Sequence, residues 1–286
     1  MKKSIGYIYY KTYYFPEDFT IINELKKKVN VIMISIEDQI DIKDIKETTK
    51  KCNLILNSAT FRPITFESIQ LSKTMEELGK KVINSTHSLL YDEDKWMFYL
   101  KCLENKLPTP KTYLIPKEKK INSNLIKEIL KKNNLILKPV YSDNGIGVER
   151  VKNYKEFKEK IKKIKKILPE SPIIAQEFIP NQNRSYRVTL FGNKVEQAIV
   201  KINKRWKQTG NEKKAHYRTI KLDKNTKDLC EKASKILCMD VCGLDLIKNN
   251  NKWYFIEANG CPGMDFIYDD CKRLSKKLSN FLISKI

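Results

Sequence analysis

The chain has 286 residues, 41% of them hydrophobic and 31% charged, with 56 Lys and Arg against 34 Asp and Glu, a net charge of +22. That length buries a sizeable core and predicts two or three subdomains of a globular protein. No apolar run reaches the roughly 18–20 residues of a spanning helix, so a membrane-embedded protein is not expected.

Met1-Lys2-Lys3 looks like a short basic leader, but Tyr7–Pro16 is aromatic and polar and no small-residue cleavage site follows. The start therefore reads as a first strand, in a cytoplasmic protein. Strands are predicted at Ile5–Tyr9, Val31–Ile36, Leu54–Asn57 and Val82–Asn84. Ile21, Ile22, Leu25 and Val29 form one helical face between the first two, and Met75 with Leu78 anchors a later helix. Alternating strand and helix signals predict a parallel sheet covered by helices, an N-terminal α/β domain over residues 1–88. No G-x-G-x-x-G follows the first strand, so dinucleotide binding has no support there.

A helix is predicted from near Asp92, with Trp96, Tyr99, Leu100 and Leu103 inward. Leu107-Pro108-Thr109-Pro110 must then be extended, because proline restricts the residue before it. A central unit over 89–178 follows, with strands at Leu135–Lys138, Val148–Val151 and Ile173–Gln176 and helices at Asn124–Lys131 and Tyr154–Leu168. In the second helix Phe157, Ile161, Ile164 and Leu168 share one face, which makes its lysines the wet side of an amphipathic helix. The lysine excess is spread from Lys2 to Lys285 without a nucleic-acid motif, so solvated surface is preferred over nucleic-acid binding, with an acidic partner second.

The last unit, 179–286, opens with a hairpin, Tyr186–Phe191 and Lys194–Ile202 around Gly192-Asn193. A polar stretch, a helix near Thr226–Leu237 and a second hairpin follow. This hairpin pairs Val241–Ile247 with Lys252–Ala258 around Asn249–Asn251, and a helix ends near Ile286. Centred near Asn251, it sets Asp245 opposite Glu257, while Glu257 and Asn259 share a face two residues apart. Three oxygen-bearing groups on one apolar pair suit a hard cation such as Mg²⁺; two solvated acids at strand ends are the plain alternative. The seven cysteines are odd in number, scattered and without a C-x-x-C pair, which predicts reduced core thiols and not a zinc site.

Three further segments carry chemistry. Leu137-Lys138-Pro139 runs into Ser142-Asp143-Asn144-Gly145-Ile146-Gly147, a strand-end lysine and a glycine loop suited to phosphate, or a plain turn on Asn144-Gly145. Gln176-Glu177-Phe178-Ile179-Pro180 is an extended hinge whose backbone groups suit the edge of an adenine. Asp94-Lys95, Arg187 and Lys201 would alone be surface groups.

Taken in order, D-K, L-K-P with S-D-N-G-I-G-V, Q-E-F-I, S-Y-R-V, G-L-D-L and F-I-E-A-N-G-C-P-G resemble the ATP-grasp superfamily, and within it the RimK-like carboxylate–amine ligases. The resemblance spans roughly Asn84–Met264. It implies an ATP-grasp fold, mixed α/β and α+β, behind an N-terminal parallel-sheet domain. It also implies ATP with Mg²⁺, or Mn²⁺, as cofactors. Lys95 and Lys138 match the lysines on the ATP phosphates, and Ser142, Gly145 and Gly147 the loop folding over them. Gln176, Glu177, Phe178 and Ile179 match the hinge for adenine and ribose. Arg187 matches the arginine near the transferred phosphate, and Asp245, Glu257 and Asn259 match the Mg²⁺ ligands. Where relatives carry a basic strand and a Gly-Gly pair, this chain has Lys201-Ile202-Asn203-Lys204-Arg205 and a single glycine before Arg218. Lys201, Arg205 and Arg218 are the candidates for holding the acceptor carboxylate or the oxyanion.

The implied reaction is amide formation through an acylphosphate, joining a carboxylate and an amine substrate. The net charge favours an anionic amino acid, peptide or acidic carrier. No membrane partner is implied, nucleic acid is disfavoured, and a homo-oligomer stays open. Nucleotide binding without catalysis, or basic nucleic-acid binding, are the alternative readings.

Overall fold

The computed structural model describes residues 3–11, 16–39, 41–59, 65–116, 123–142, 144–203, 206, 216–267 and 270–286. Residues β1 (Ser4–Tyr9), β2 (Asn30–Ser35), β3 (Leu54–Asn57) and β4 (Val82–Ile83) form a parallel sheet in the order β2-β1-β3-β4. Between them lie α1 (Pro16–Lys26), α2 (Ile42–Thr49) and α3 (Thr65–Glu77). β1 and β3 are buried along nearly their whole length, as continuous apolar runs in a parallel sheet covered on both faces must be. On one face Ile8, Ile34, Ile55 and Met75 pack together. On the other, Ile5, Tyr7 and Leu54 meet Leu25 of α1 and Leu274 and Leu278 of the C-terminal helix α9 (Asp270–Ile283).

The helix predicted from Asp92 is two helices, α4 (Thr86–Glu93) and α5 (Lys95–Glu104). Asp94 separates them, because its carboxylate caps α5 by accepting from the N–H groups of Trp96 and Met97 at 2.8 and 2.9 Å. The buried face of α5 is Phe98, Tyr99 and Cys102, whereas Leu100 and Leu103 point to solvent. Both sets fit a 3.6-residue period, and tertiary packing chose between them.

After Leu107–Pro110 come β5 (Thr112–Ile115), α6 (Ser123–Lys132), β6 (Leu135–Pro139), β7 (Glu149–Val151), α7 (Tyr154–Ile167) and β8 (Ile173–Glu177). The strands make an antiparallel sheet in the order β5-β8-β6-β7. Phe157, Ile161 and Ile164 of α7 are buried against it, and fully burying one such side chain contributes about 1.5–3 kcal/mol.

The third sheet has β9 (Arg184–Phe191), β10 (Lys194–Ile202), β11 (His216–Thr219), β12 (Val241–Asn249) and β13 (Lys252–Asn259), with α8 (Lys224–Ile236) against it. Its order is β11-β10-β9-β12-β13, antiparallel throughout. β5 and β11 are short edge strands without a strong alternation, and they were not predicted. The first and third sheets are locked by Asn84, which is 2% exposed. Its amide donates to the carbonyls of Val241 and Gly260, both at 2.7 Å, and its Oδ1 accepts from the Val241 N–H at 2.9 Å. Among the described residues no helix is long and apolar enough to cross a membrane.

Candidate active site

Strand register assembles the polar face of the third sheet. Asp245 lies directly opposite Glu257 on β13 and Arg187 on β9, and Gly243 lies opposite Asn259. Directly opposed residues share a face, and a two-residue step keeps it. Arg187, Asp245, Glu257 and Asn259 therefore converge on one face of the sheet. Arg187 grips Asp245 with two hydrogen bonds, Nε to Oδ1 and Nη2 to Oδ2, the latter 2.8 Å. The Asn259 amide donates to the Gly243 carbonyl at 3.2 Å, which leaves its Oδ1 as the remaining acceptor.

The electrostatics of this face are those of a crowded, half-buried site. Burial, opposed by Arg187, pushes the Asp245 carboxyl up to about 6. Burial works against ionised Glu257 too, yet Lys95, Lys138, Asp245 and Arg187 together hold it below the usual carboxylate range. Lys138, 9% exposed at the end of β6, is pushed down to about 8 by burial. Its ammonium donates to Gln176 Oε1 at 2.8 Å, and the Gln176 amide donates to Thr112 Oγ1 at 3.1 Å.

Lys95 donates to the backbone carbonyl of Ser142, and the Tyr141 hydroxyl donates to Asp94 Oδ2 at 3.0 Å. The base of the glycine loop is thus docked on the start of α5. Asn144, Gly145 and Gly147 all have positive φ, 48°, 70° and 70°, which glycine adopts without steric cost. Asp143 lies outside the described residues.

At the hinge, two of the backbone donors expected to face adenine are already used. The Glu177 N–H donates to the Lys111 carbonyl at 2.8 Å and the Phe178 N–H to the Asn134 carbonyl at 2.9 Å. Lys111 immediately precedes edge strand β5, and Asn134 lies in the turn after α6. Glu177 Oε1 accepts from the Tyr113 hydroxyl at 3.0 Å. The Arg150 guanidinium stacks 3.7 Å over Phe178, and among the described residues its buried Nε has no acceptor. A buried N–H beside an aromatic ring leaves one hydrogen bond for a ligand to complete.

Of the acceptor-side candidates, Lys201 stands opposite Tyr217 on the Arg187 face, with its ammonium 5.8 Å from the Tyr217 ring. Arg218 stands opposite Val200, on the other face, and is exposed. Alternation of one residue along β11 separates it from Asp245 and Glu257 and brings Tyr217 there instead. The Tyr217 ring lies 5.3 Å from Phe266, whose ring lies 5.6 Å from the Arg187 guanidinium. Arg205 and residues 207–215 lie outside the described residues.

One carboxylate on this face carried no sequence signal. Asp92, on the last turn of α4, accepts from the Gly260 N–H, and burial pushes it up to about 7, with Glu257 adding to the rise. A Cβ on Gly260 would lie 2.8 Å from Asp92 Oδ2 and 3.1 Å from Asn84 Nδ2, so only glycine fits. In the sequence Asp92 is one acid of an ordinary polar run, and nothing local marks it.

The donor set suits a hard divalent cation shared with a nucleotide. Among the described residues no three His, Cys, Asp or Glu side chains group as metal ligands. Two carboxylates and an amide oxygen instead leave positions for phosphate oxygens, the usual arrangement for Mg²⁺.

Residues 92–281 match the RimK-like ATP-grasp domain. The chain is 26% identical over 217 residues to the alpha-aminoadipate–LysW ligase LysX of Saccharolobus solfataricus, covering 74% of this chain and 76% of that protein. It is 24% identical over 282 residues to the coenzyme gamma-F420-2:alpha-L-glutamate ligase of Methanocaldococcus jannaschii, covering 93% of each. The fold matches that of D-alanine–D-alanine ligase from Bacillus anthracis complexed with ATP, with a TM-score of 0.74 at 17% identity, covering 99% of this chain and 97% of that one. The chain belongs to the RimK-like ATP-grasp family and is an ATP-dependent carboxylate–amine ligase.

Proposed function

We propose that the chain joins an amino acid, glutamate-like in its acidity, to a small molecule, peptide or acidic carrier, with Asp245, Glu257 and Asn259 holding Mg²⁺ beside the phosphates of ATP. The observation that carries this reading is the register of three strands, which stacks Arg187, Asp245 and Glu257 on one half-buried face with Lys138 and Lys95 acting on it. Relatives named as glutamate and aminoadipate ligases support the substrate class.

The chain's own residues contribute positioning and charge. Lys138 is fixed by Gln176, and Lys95 by the Ser142 carbonyl, so both ammonium groups meet phosphate oxygens at little further entropic cost. Arg187 is aimed by Asp245 and can stabilise the phosphoryl group as it passes to the substrate carboxylate. Bound Mg²⁺ would supply neutralisation of the phosphate charge. Tyr141 and Ser142 hold the glycine loop over the site, which keeps water from the acylphosphate until the amine attacks. Lys201 and Tyr217 share the face beyond Arg187 and are the acceptor-side pair.

The test is ADP formation by purified protein with ATP, Mg²⁺ and paired amino-acid and carboxylate substrates. ADP release that depends on both substrates is the expected result. A protein that binds ATP yet releases no ADP with any acidic amino acid would refute the substrate assignment.

A further inference from the structure

A further cavity lies outside the face described above. It is a groove of about 480 Å³ between α1 and α9, lined by Lys27, Lys28, Lys272, Arg273 and Lys276, with Glu24 as its one carboxylate. Glu24 already bonds the Lys27 ammonium, and Arg273 holds Asp270 at 2.8–3.0 Å. Lys28 donates to Asn280 Oδ1 at 2.7 Å. Ser279 also lines the groove, and its buried Oγ has no partner among the described residues. Five cations around one neutralised acid give the groove an excess of positive charge that suits an anion.

We propose that this groove docks an acidic segment of a polypeptide, a reading that rests on the ligase assignment for its purpose but not for its evidence. Lys272 and Lys276 are one turn apart, about 6 Å along α9. Alternate side chains of an extended strand recur at about 6.6 Å on one side, so glutamates two apart match that spacing. Among the described residues the lining carries no aromatic side chain, whereas single-stranded nucleic acid is bound by stacking its bases on aromatic rings. At the start of α1 Glu17 hydrogen-bonds Asp265, and both carboxylates lie near Cys271, which immediately precedes Lys272. The family match begins at residue 92, so α1, one wall of the groove, lies outside it.

The test is fluorescence anisotropy of a labelled deca-glutamate peptide with the full-length protein and no nucleotide. The Lys272→Glu/Lys276→Glu variant should weaken binding about tenfold or more, as opposed charges at a contact surface do. Lys232→Glu/Lys235→Glu, the same charge change on exposed α8, should change it less than about twofold, since separated surface charges are screened. Matched thermal unfolding of both variants with the parent secures the comparison. Equal loss in the two variants, or no binding by the parent, overturns the proposal in favour of diffuse charge. Tighter binding of an oligothymidylate that is lost in the α9 variant also overturns it and makes the groove a nucleic-acid surface. Because Glu257→Gln should bind the peptide like the parent while failing to form ADP, failure of the groove and failure of the ligase assignment read out separately.

Discussion

Arg187 and Asp245 face each other on adjacent strands, and the guanidinium holds both carboxylate oxygens while Glu257 stands in register on the far side of Asp245. The carboxylate that would ligate metal is thus held by an arginine, with side-chain exposures of 16% and 24%. Arg187 stands in for part of the positive charge that the two acids need. Replacing it leaves a half-buried carboxylate without its partner, which costs about 1–3 kcal/mol. Arg187→Met should lower the apo protein's stability by that order in urea unfolding, and Mg²⁺ with ADP should restore more stability to the variant than to the parent. An equal gain in both would show that Arg187 and the cation do not share these carboxylates.

Glu257→Gln keeps the shape of the side chain and removes its charge. On the proposal that Glu257 ligates the cation, ADP formation should fall at least about 100-fold, the scale of removing one preorganised electrostatic group. Circular dichroism and thermal unfolding should stay close to the parent. Full turnover in this variant would rule out the metal role of β13.

Lys138 is a buried ammonium whose proton affinity is lowered by burial, to about 8. Lys138→Met removes that desolvation cost in a volume-conserving way. The apo variant should be as stable as the parent or more so, while kcat/KM for ATP drops by about 100-fold. A stability loss without a kinetic defect would make Lys138 a structural group only.

Glu17 tests the carboxylate pair at the start of α1. Burial, then Asp265, raises its carboxyl from 4.5 to about 7, so the folded protein binds a proton there that the unfolded chain does not. Stability from this group is complete below the unfolded value of 4.5 and is lost as pH rises through about 7. Glu17→Gln should therefore raise Tm more at pH about 8 than at pH about 5. An equal or smaller gain at pH about 8 would show that the Glu17 carboxyl is not raised in the fold.

Asn84 is the simplest stability test of the joint between the sheets. Asn84→Ala leaves the Val241 N–H and two carbonyls unpaired in a buried joint, at a cost of about 2–4 kcal/mol. Urea unfolding measures it directly, and a change below about 0.5 kcal/mol would show that water replaces the amide.

The sequence by itself determined the elements whose signal is local. Apolar runs placed β1, β3 and β10 within a residue of their observed bounds, and Asn249–Asn251 centred the last hairpin so that Asp245 met Glu257. Period and turn chemistry act between near neighbours, and a single strand carries them. Tertiary structure alone decided the rest. It turned Phe98 and Cys102 of α5 inward in place of Leu100 and Leu103, since two faces of similar period compete until a partner surface chooses. It put Arg218 on the far face of β11 and Tyr217 on the near one, a matter of register with β10. It brought Asp92 to Gly260 across 168 residues of chain and used the hinge N–H groups of Glu177 and Phe178 on a strand and a turn far away in sequence. Such contacts are set by which surfaces pack, and no window of sequence contains both partners.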